Sequence, residues 1–234
     1  MKCLIKINGL FYFILFLGLF HLSSNAQTFL NKHYLSDDVE NLINSNPDQA
    51  LKIAQYLLSK TNTSNKEKAK VNFLISRAYW VKGDISSALN FLYEEKNYED
   101  YLTDEEKINI EIGKIVLLRE LTLYKQSKKS LKNLENNYKN TTDDKLKSYL
   151  KASIALEKAQ FLLNENKAEE GISLLKEQES SSRETIKVNK DLELNYVITL
   201  GQLYFKQNNL AQAKKHFESA IALVNNQNGE NIYS

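Results

Sequence analysis

Cysteine occurs once in the 234-residue chain, at Cys3, proline once, at Pro47, and tryptophan once, at Trp80; glycine occurs seven times. A single cysteine excludes an internal disulfide and any site built from several thiolates. Scarce glycine and proline exclude a Gly-rich phosphate loop and leave too few turn formers for a chain of short strands. Strand-like alternation between turns is missing, and the abundant Lys, Glu, Leu and Asn favour helix. The chain reads as all-α.

What is present begins with a leader-like start. MKCLIK carries Lys2 and Lys6, an apolar run follows from Leu10 to Phe20, and HLSSNA comes next. A basic start, an apolar middle and small residues at Ser24 and Ala26 are the layout of a secretory signal peptide, with the cut expected before Gln27. The apolar run falls well short of the roughly 20 residues needed to cross a bilayer. Residues 1–26 are therefore expected to be a cleaved signal peptide, and residues 27–234 an exported product, periplasmic or extracellular. Cys3 precedes the apolar run and is not placed to carry a lipid after processing.

Cleavage changes the charge. Of 31 basic residues, Lys2 and Lys6 are lost, leaving 29 against 29 acidic ones. A basic footprint for nucleic acid is absent, and no later stretch has the length of a membrane span. About 208 residues remain, ample for a sizeable core.

Residues 191–206, DLELNYVITLGQLYFK, repeat apolar side chains at helical spacing, and QNNL then interrupts with turn formers. A second helix is expected over 210–224, with its stripe at 210, 213, 217, 220, 221 and 224. Two helices joined by a short polar turn form an antiparallel hairpin. Close helix packing demands side chains of little volume at the crossing, and Gly201 and Ala213 supply them. Ala220 is expected to serve the same way against a following helix, with Tyr204 and Phe217 filling the space on either side.

These residues resemble a tetratricopeptide repeat, whose pattern is matched by Leu200, Gly201, Tyr204, Ala213, Phe217 and Ala220. A second match runs through ISRAYWVKGDISSALNFL, with Ser76, Tyr79, Gly83, Ile85, Ala88 and Leu92. Further copies are expected around Ala50, around Tyr124, Ser127 and Leu131, and around Ala168, Gly171 and Leu175. The small anchors fall at 50, 88, 127, 171 and 213, in steps of 38, 39, 44 and 42, longer than the usual 34. Asn46-Pro47-Asp48-Gln49 offers a cap, a first-turn proline and a Gln three after the cap. Ser64 with Glu67 and Thr103 with Glu106 read as capping boxes, and Asp143 and Asp144 as first-turn acids. Units are expected at 35–60, 64–97, 103–138, 143–178 and 190–225. The resemblance implies that about five hairpins stack into a right-handed superhelical solenoid.

The resemblance also implies an inner groove lined by the first helix of each hairpin, and a protein or peptide partner. Carried onto this sequence, its ligand-facing positions are Phe73, Arg77 and Trp80 in the second unit, and Val116 and Arg119 in the third. They are Gln160 and Leu163 in the fourth, and Ile198, Gln202 and Phe205 in the fifth. An exposed Trp beside an Arg has the composition of an interface hot spot. The Lys and Asn pattern that some members use for a peptide C-terminus is not matched.

Catalytic chemistry finds little support. His216 has no ligand residue four along on either side, and His33 has no second histidine at that spacing, so neither reads as a metal site. The carboxylate pairs Glu94–Glu95, Glu105–Glu106 and Glu169–Glu170 read as solvated faces or first turns. No nucleophile elbow or zinc-protease motif occurs, and no cofactor or metal is expected. Asn62-Thr63-Ser64 and Asn140-Thr141-Thr142 match the glycosylation pattern, as expected by chance in an Asn-rich chain. The expectation is an exported, non-enzymatic helical-repeat scaffold binding a protein or peptide, similar to the sensor regions of bacterial regulators. Its last helix is expected to expose Ala220, Ile221 and Val224, and so to need cover by a further helical segment or a second copy. The alternatives are an exported hydrolase or glycan-processing enzyme on an α-solenoid, and an intracellular regulator whose start only mimics a leader.

Overall fold

A computed structural model describes residues 34–230, the side chains of residues 95, 96 and 226–230 excepted. The expected leader with its cut, Cys3 and His33 lie outside the described residues.

The described residues form eleven α-helices and one 3-10 helix, with no strand. In order these are α1 (Ser36–Leu42), α2 (Pro47–Ser59), α3 (Asn65–Val81) and α4 (Ile85–Glu94). After the 3-10 turn Glu95–Tyr101 come α5 (Asp104–Glu120), α6 (Tyr124–Asn140), α7 (Asp144–Asn164) and α8 (Ala168–Ser181). The chain continues with α9 (Arg183–Val188), α10 (Lys190–Lys206) and α11 (Leu210–Glu230). No helix among the described residues is long and apolar enough to cross a membrane.

The helix starts follow from their capping residues. Asn46 Oδ1 accepts from the Gln49 amide at 3.1 Å ahead of Pro47. Thr103 and Glu106 form a reciprocal capping box, the Glu106 amide donating to Thr103 Oγ1 at 3.2 Å and the Thr103 amide to Glu106 Oε2 at 2.7 Å. Two expectations are corrected. Ser64 accepts from the Glu67 amide at 3.2 Å, but α3 has no reciprocal bond from Glu67, so a simple cap stands where a box was expected. Asp143 is not in the first turn of α7; it is the cap itself, accepting from the Leu146 amide at 2.7 Å, and Asp144 follows in the turn.

Four helix pairs, α3–α4, α5–α6, α7–α8 and α10–α11, close by one turn geometry. A single residue takes positive φ in each: Gly83 (80°), Thr122 (59°), Asn166 (61°) and Asn208 (60°). The next amide reaches back over the turn, Asp84 to Tyr79 O at 3.0 Å, Leu123 to Leu118 O and Lys167 to Leu162 O at 2.8 Å, and Asn209 to Tyr204 O at 2.9 Å. This is the Schellman closure, which satisfies carbonyls the helix end leaves unpaired. The α1–α2 turn has no positive-φ residue.

Each small anchor lies five residues beyond its left-handed residue: Ala88, Ser127, Gly171 and Ala213. All four are buried, as is Ala50 in α2. The buried Ser76 donates to the Ala88 carbonyl and the buried Ser127 to the Ile115 carbonyl, both at 2.7 Å and both across twelve residues. The same offset pairs Ala159 with Gly171, where a Cβ on the glycine would sit 3.6 Å from the Ala159 carbonyl oxygen and 2.8 Å from Leu203 Cδ2. At Gly201 a Cβ would lie 2.6 Å from Phe217 Cε1, so the missing side chain is the seat of that ring. Tyr79 stacks on Phe91 (5.6 Å between centroids), and Tyr204 is buried and stacks on His216 (5.4 Å).

The core is a succession of clusters rather than one centre. The first joins α1, α2 and α3 through Val39, Ile53 and Ile75. The second joins α4 to α5 through Leu92 and Leu117. The third joins α5, α6 and α7 through Ile115, Leu134 and Leu150. The last joins α7 through α11 around Leu175, Tyr196 and Leu203. Helices thus pack on near neighbours in sequence. The architecture is all-α and repeat-like.

Three features depart from the sequence reading. The short α9 packs Ile186 into the last cluster, and with the 3-10 turn it takes up chain between hairpins. The last helix runs through NNQNGE to Glu230 instead of stopping at 224. Ala220, expected to be left open on that helix, is buried at 7% exposure, whereas Ile221 (60%) and Val224 (38%) are exposed.

Candidate functional site: a groove lined by four first helices

The shared turn sets a shared register. Ser76, Ile115, Ala159 and Gly201 are equivalent positions on α3, α5, α7 and α10, each twelve residues before its anchor. Residues three before and one after these positions lie on one face of each helix. Those faces converge on a groove of about 680 Å³. Phe73, Ile112, Leu156 and Ile198 are the equivalent residues before, and Arg77, Val116, Gln160 and Gln202 the equivalent residues after; all eight line it. Trp80 and Arg119 line it as well.

Two positions behave otherwise. Phe205 is 62% exposed yet does not line the groove. A wall opposite it would need a further first helix, and none follows among the described residues. Leu163 is half-buried and packs against the last core cluster instead.

Polar side chains tie each first helix to the next across the floor. Arg77 Nη1 lies 3.3 Å from Glu40 Oε1, linking α3 to α1. Trp80 donates through Nε1 to Glu120 Oε2 at 3.2 Å, linking α3 to α5. Arg119 donates through Nη1 to Gln160 Oε1 at 2.9 Å, and its Nη2 lies 3.4 Å from Glu157 Oε2, linking α5 to α7. Gln160 Nε2 then donates to Thr199 Oγ1 at 2.7 Å and reaches Gln202 Oε1 at 3.4 Å, linking α7 to α10. Tyr149 adds a second α7–α5 tie, donating to Asn109 Oδ1 at 2.7 Å. Such a chain fixes side-chain positions before any guest arrives, which reduces the ordering cost of binding.

The floor is electrostatically unusual at one point. Glu157 is almost wholly buried, and burial pushes its carboxyl up to about 7 against the opposing pull of the Arg119 guanidinium. Burial likewise raises the Tyr149 hydroxyl above its usual range. Two buried polar atoms, Arg119 Nε and Ser153 Oγ, have no hydrogen-bond partner among the described residues. His216, outside the groove, is depressed by burial, an effect partly opposed by Glu179.

Sequence reasoning missed Glu40, Asn109, Glu120, Ser153, Glu157, Asp191, Asn195 and Thr199, all of which line the groove. A signal for some of them was present. Asn109, Ser153 and Asn195 occupy the same position six before the reference residue, one turn further back along the face that carries Phe73 and Ile198. Following that face over two turns stopped short of them.

A larger concavity of about 980 Å³ lies elsewhere, between the N-terminal half of α5 and the C-terminal half of α6. Its asparagines, 133, 136, 137 and 140, are all exposed on one face of α6, and nothing comparable to the cross-helix ties converges on it. Among the described residues no cluster of three or more His, Cys, Asp or Glu is arranged to hold a metal ion. Neither protein-family models nor curated protein sequences match the chain.

Proposed function

We propose that the protein is an exported, non-enzymatic scaffold whose groove docks an extended peptide segment of a protein partner, and that it serves as the sensor part of a signalling system. In this reading the hairpins are tetratricopeptide-like units stacked as a right-handed superhelical solenoid. One observation carries the docking: equivalent residues from four successive first helices face a single groove, held in place by cross-helix hydrogen bonds. Half-buried Phe73, Ile112, Val116 and Ile198 offer apolar contact, and Asn109, Asn195 and Gln202 offer both donors and acceptors to a peptide backbone. Glu157 is covered by Arg119 and nearly inaccessible, so it braces the floor and does not meet a substrate.

The test is selection of linear peptides from a displayed random library against the full chain. Selected peptides are expected to lose at least tenfold in affinity on Phe73→Ala or Gln202→Ala, and to keep it on Lys176→Ala, outside the groove. Recovery of no binding peptide, or of peptides indifferent to both groove changes, contradicts the docking role. Export is tested by sequencing the mature N-terminus, expected at Gln27; an intact Met1 in the cytoplasmic fraction contradicts it.

A further inference from the structure

We propose that the guest of this groove is a basic peptide segment, with a Lys or Arg side chain seated against Trp80 beside Glu120. The inference rests on the docking role proposed above and specifies its chemistry.

Charge is the first argument. The groove is lined by four carboxylates, Glu40, Glu120, Glu157 and Asp191, against two guanidiniums, Arg77 and Arg119. Both guanidiniums are engaged, Arg77 with Glu40 and Arg119 with Glu157 and Gln160. An anionic guest would therefore have to break an existing ion pair to reach a cation. Glu120 and Asp191 are both exposed, and neither has a salt-bridge partner among the described residues. The groove thus presents negative charge that the fold itself does not neutralise. Walls of low dielectric concentrate such a field and favour association with the opposite sign.

The second argument is the indole. Trp80 is 44% exposed, yet its N–H is tied to Glu120, so the ring is held at the groove and not folded away. An indole face is the strongest of the aromatic faces for a cation. Here it stands next to a carboxylate with remaining acceptor capacity, since an ionised carboxylate offers several lone pairs and one is used by the indole. A guanidinium or ammonium placed there meets a π face and a charge together.

The third argument separates a peptide from a simple polycation. Asn109, Asn195 and Gln202 line the same groove, and each carries a side-chain amide NH2. Donors such as these call for acceptors, which peptide carbonyls supply and a polyamine lacks.

Calorimetric titration of the full chain tests this with three capped decapeptides. They share one apolar framework and carry Arg, Gln or Glu at the same four positions; spermidine is the fourth ligand. The Arg peptide is expected to bind at least tenfold more tightly than the Gln peptide, with the Glu peptide weaker still. The Arg advantage is expected to shrink severalfold in Glu120→Gln and Asp191→Asn, and on raising salt from about 0.05 to 0.3 M, where exposed charges are screened. Equal or stronger binding of the Gln or Glu peptide, abolished by Phe73→Ala, overturns the basic guest while leaving peptide docking intact. Arg-peptide binding that neither acidic substitution changes overturns it as non-specific attraction. Spermidine binding as tightly as the Arg peptide overturns the peptide as guest. Absence of binding by all four ligands overturns it also.

Discussion

Nη2 of Arg119 on α5 lies 3.4 Å from Oε2 of Glu157 on α7, in the floor of the groove where the carboxylate is almost wholly buried. The pair joins two consecutive hairpins at the place where charge is hardest to keep. Its protonation therefore bears on stability.

Glu157 titrates near 4.5 when unfolded and is pushed up to about 7 by burial in the fold. Between those values the folded chain holds the proton more readily than the unfolded one, so this group's contribution to stability falls as pH rises from 4.5 to 7 and is level above. Glu157→Gln removes the slope. Urea unfolding at pH 5 and pH 8 is expected to show the variant gaining about 2 kcal/mol on wild type between the two conditions. Parallel pH dependence in both proteins would contradict the assignment.

Arg119→Met leaves that carboxylate without its counter-charge. At pH 8 the loss is expected to be about 3 kcal/mol, the usual scale for breaking a buried pair from one side. At pH 5, where Glu157 takes up a proton, the loss is smaller. Combining the change with Glu157→Gln recovers most of it, and a double-mutant cycle by chemical denaturation measures the coupling.

Gly201→Ala places a methyl 2.6 Å from the Phe217 ring. Helix propensity favours alanine by up to about 1 kcal/mol, but overpacking costs about 1–3 kcal/mol. Net destabilisation of about 1 kcal/mol is expected in thermal unfolding, relieved when Phe217→Leu is added. A stabilised single variant would show that the ring yields freely.

Thr122 holds φ at 59°, a conformation that a β-branched residue adopts at a cost. Thr122→Gly is expected to raise stability by about 1 kcal/mol, the strain relief exceeding the glycine entropy term. Asn208→Gly, at φ 60°, is expected to gain less, because Asn tolerates this region. Equal effects at both sites would contradict the strain argument.

Much of the fold was legible because it depends on local signals. Small anchors at Ala88, Gly171 and Ala213 must be small wherever two helices touch, and caps such as Asn46 and Thr103 act within three residues. The left-handed turn was legible at Gly83 but not at Thr122, where the closure imposes the conformation on a residue that does not advertise it. Helix α9 is six residues long and held by Ile186 and its neighbours, so no periodicity marks it. The extension of α11 through NNQNGE escaped because Asn reads as a turn former, although its propensity penalty is only a fraction of a kcal/mol per residue. The groove was partly legible through the register that places Arg77, Gln160 and Gln202. Its cross-helix ties were not. Partners such as Trp80 and Glu120, or Arg119 and Glu157, are 40 and 38 residues apart, and only the packing of hairpins brings them together.

Trp80 is the chain's single tryptophan and is 44% exposed on the groove, so its fluorescence reports on that surface alone. Acrylamide quenching with and without a saturating library-selected peptide tests the docking role most directly. The account predicts that bound peptide shields the indole and lowers the quenching constant at least twofold, with no such change in Phe73→Ala at the same peptide concentration. An unchanged constant under saturation would place the guest elsewhere and contradict the account.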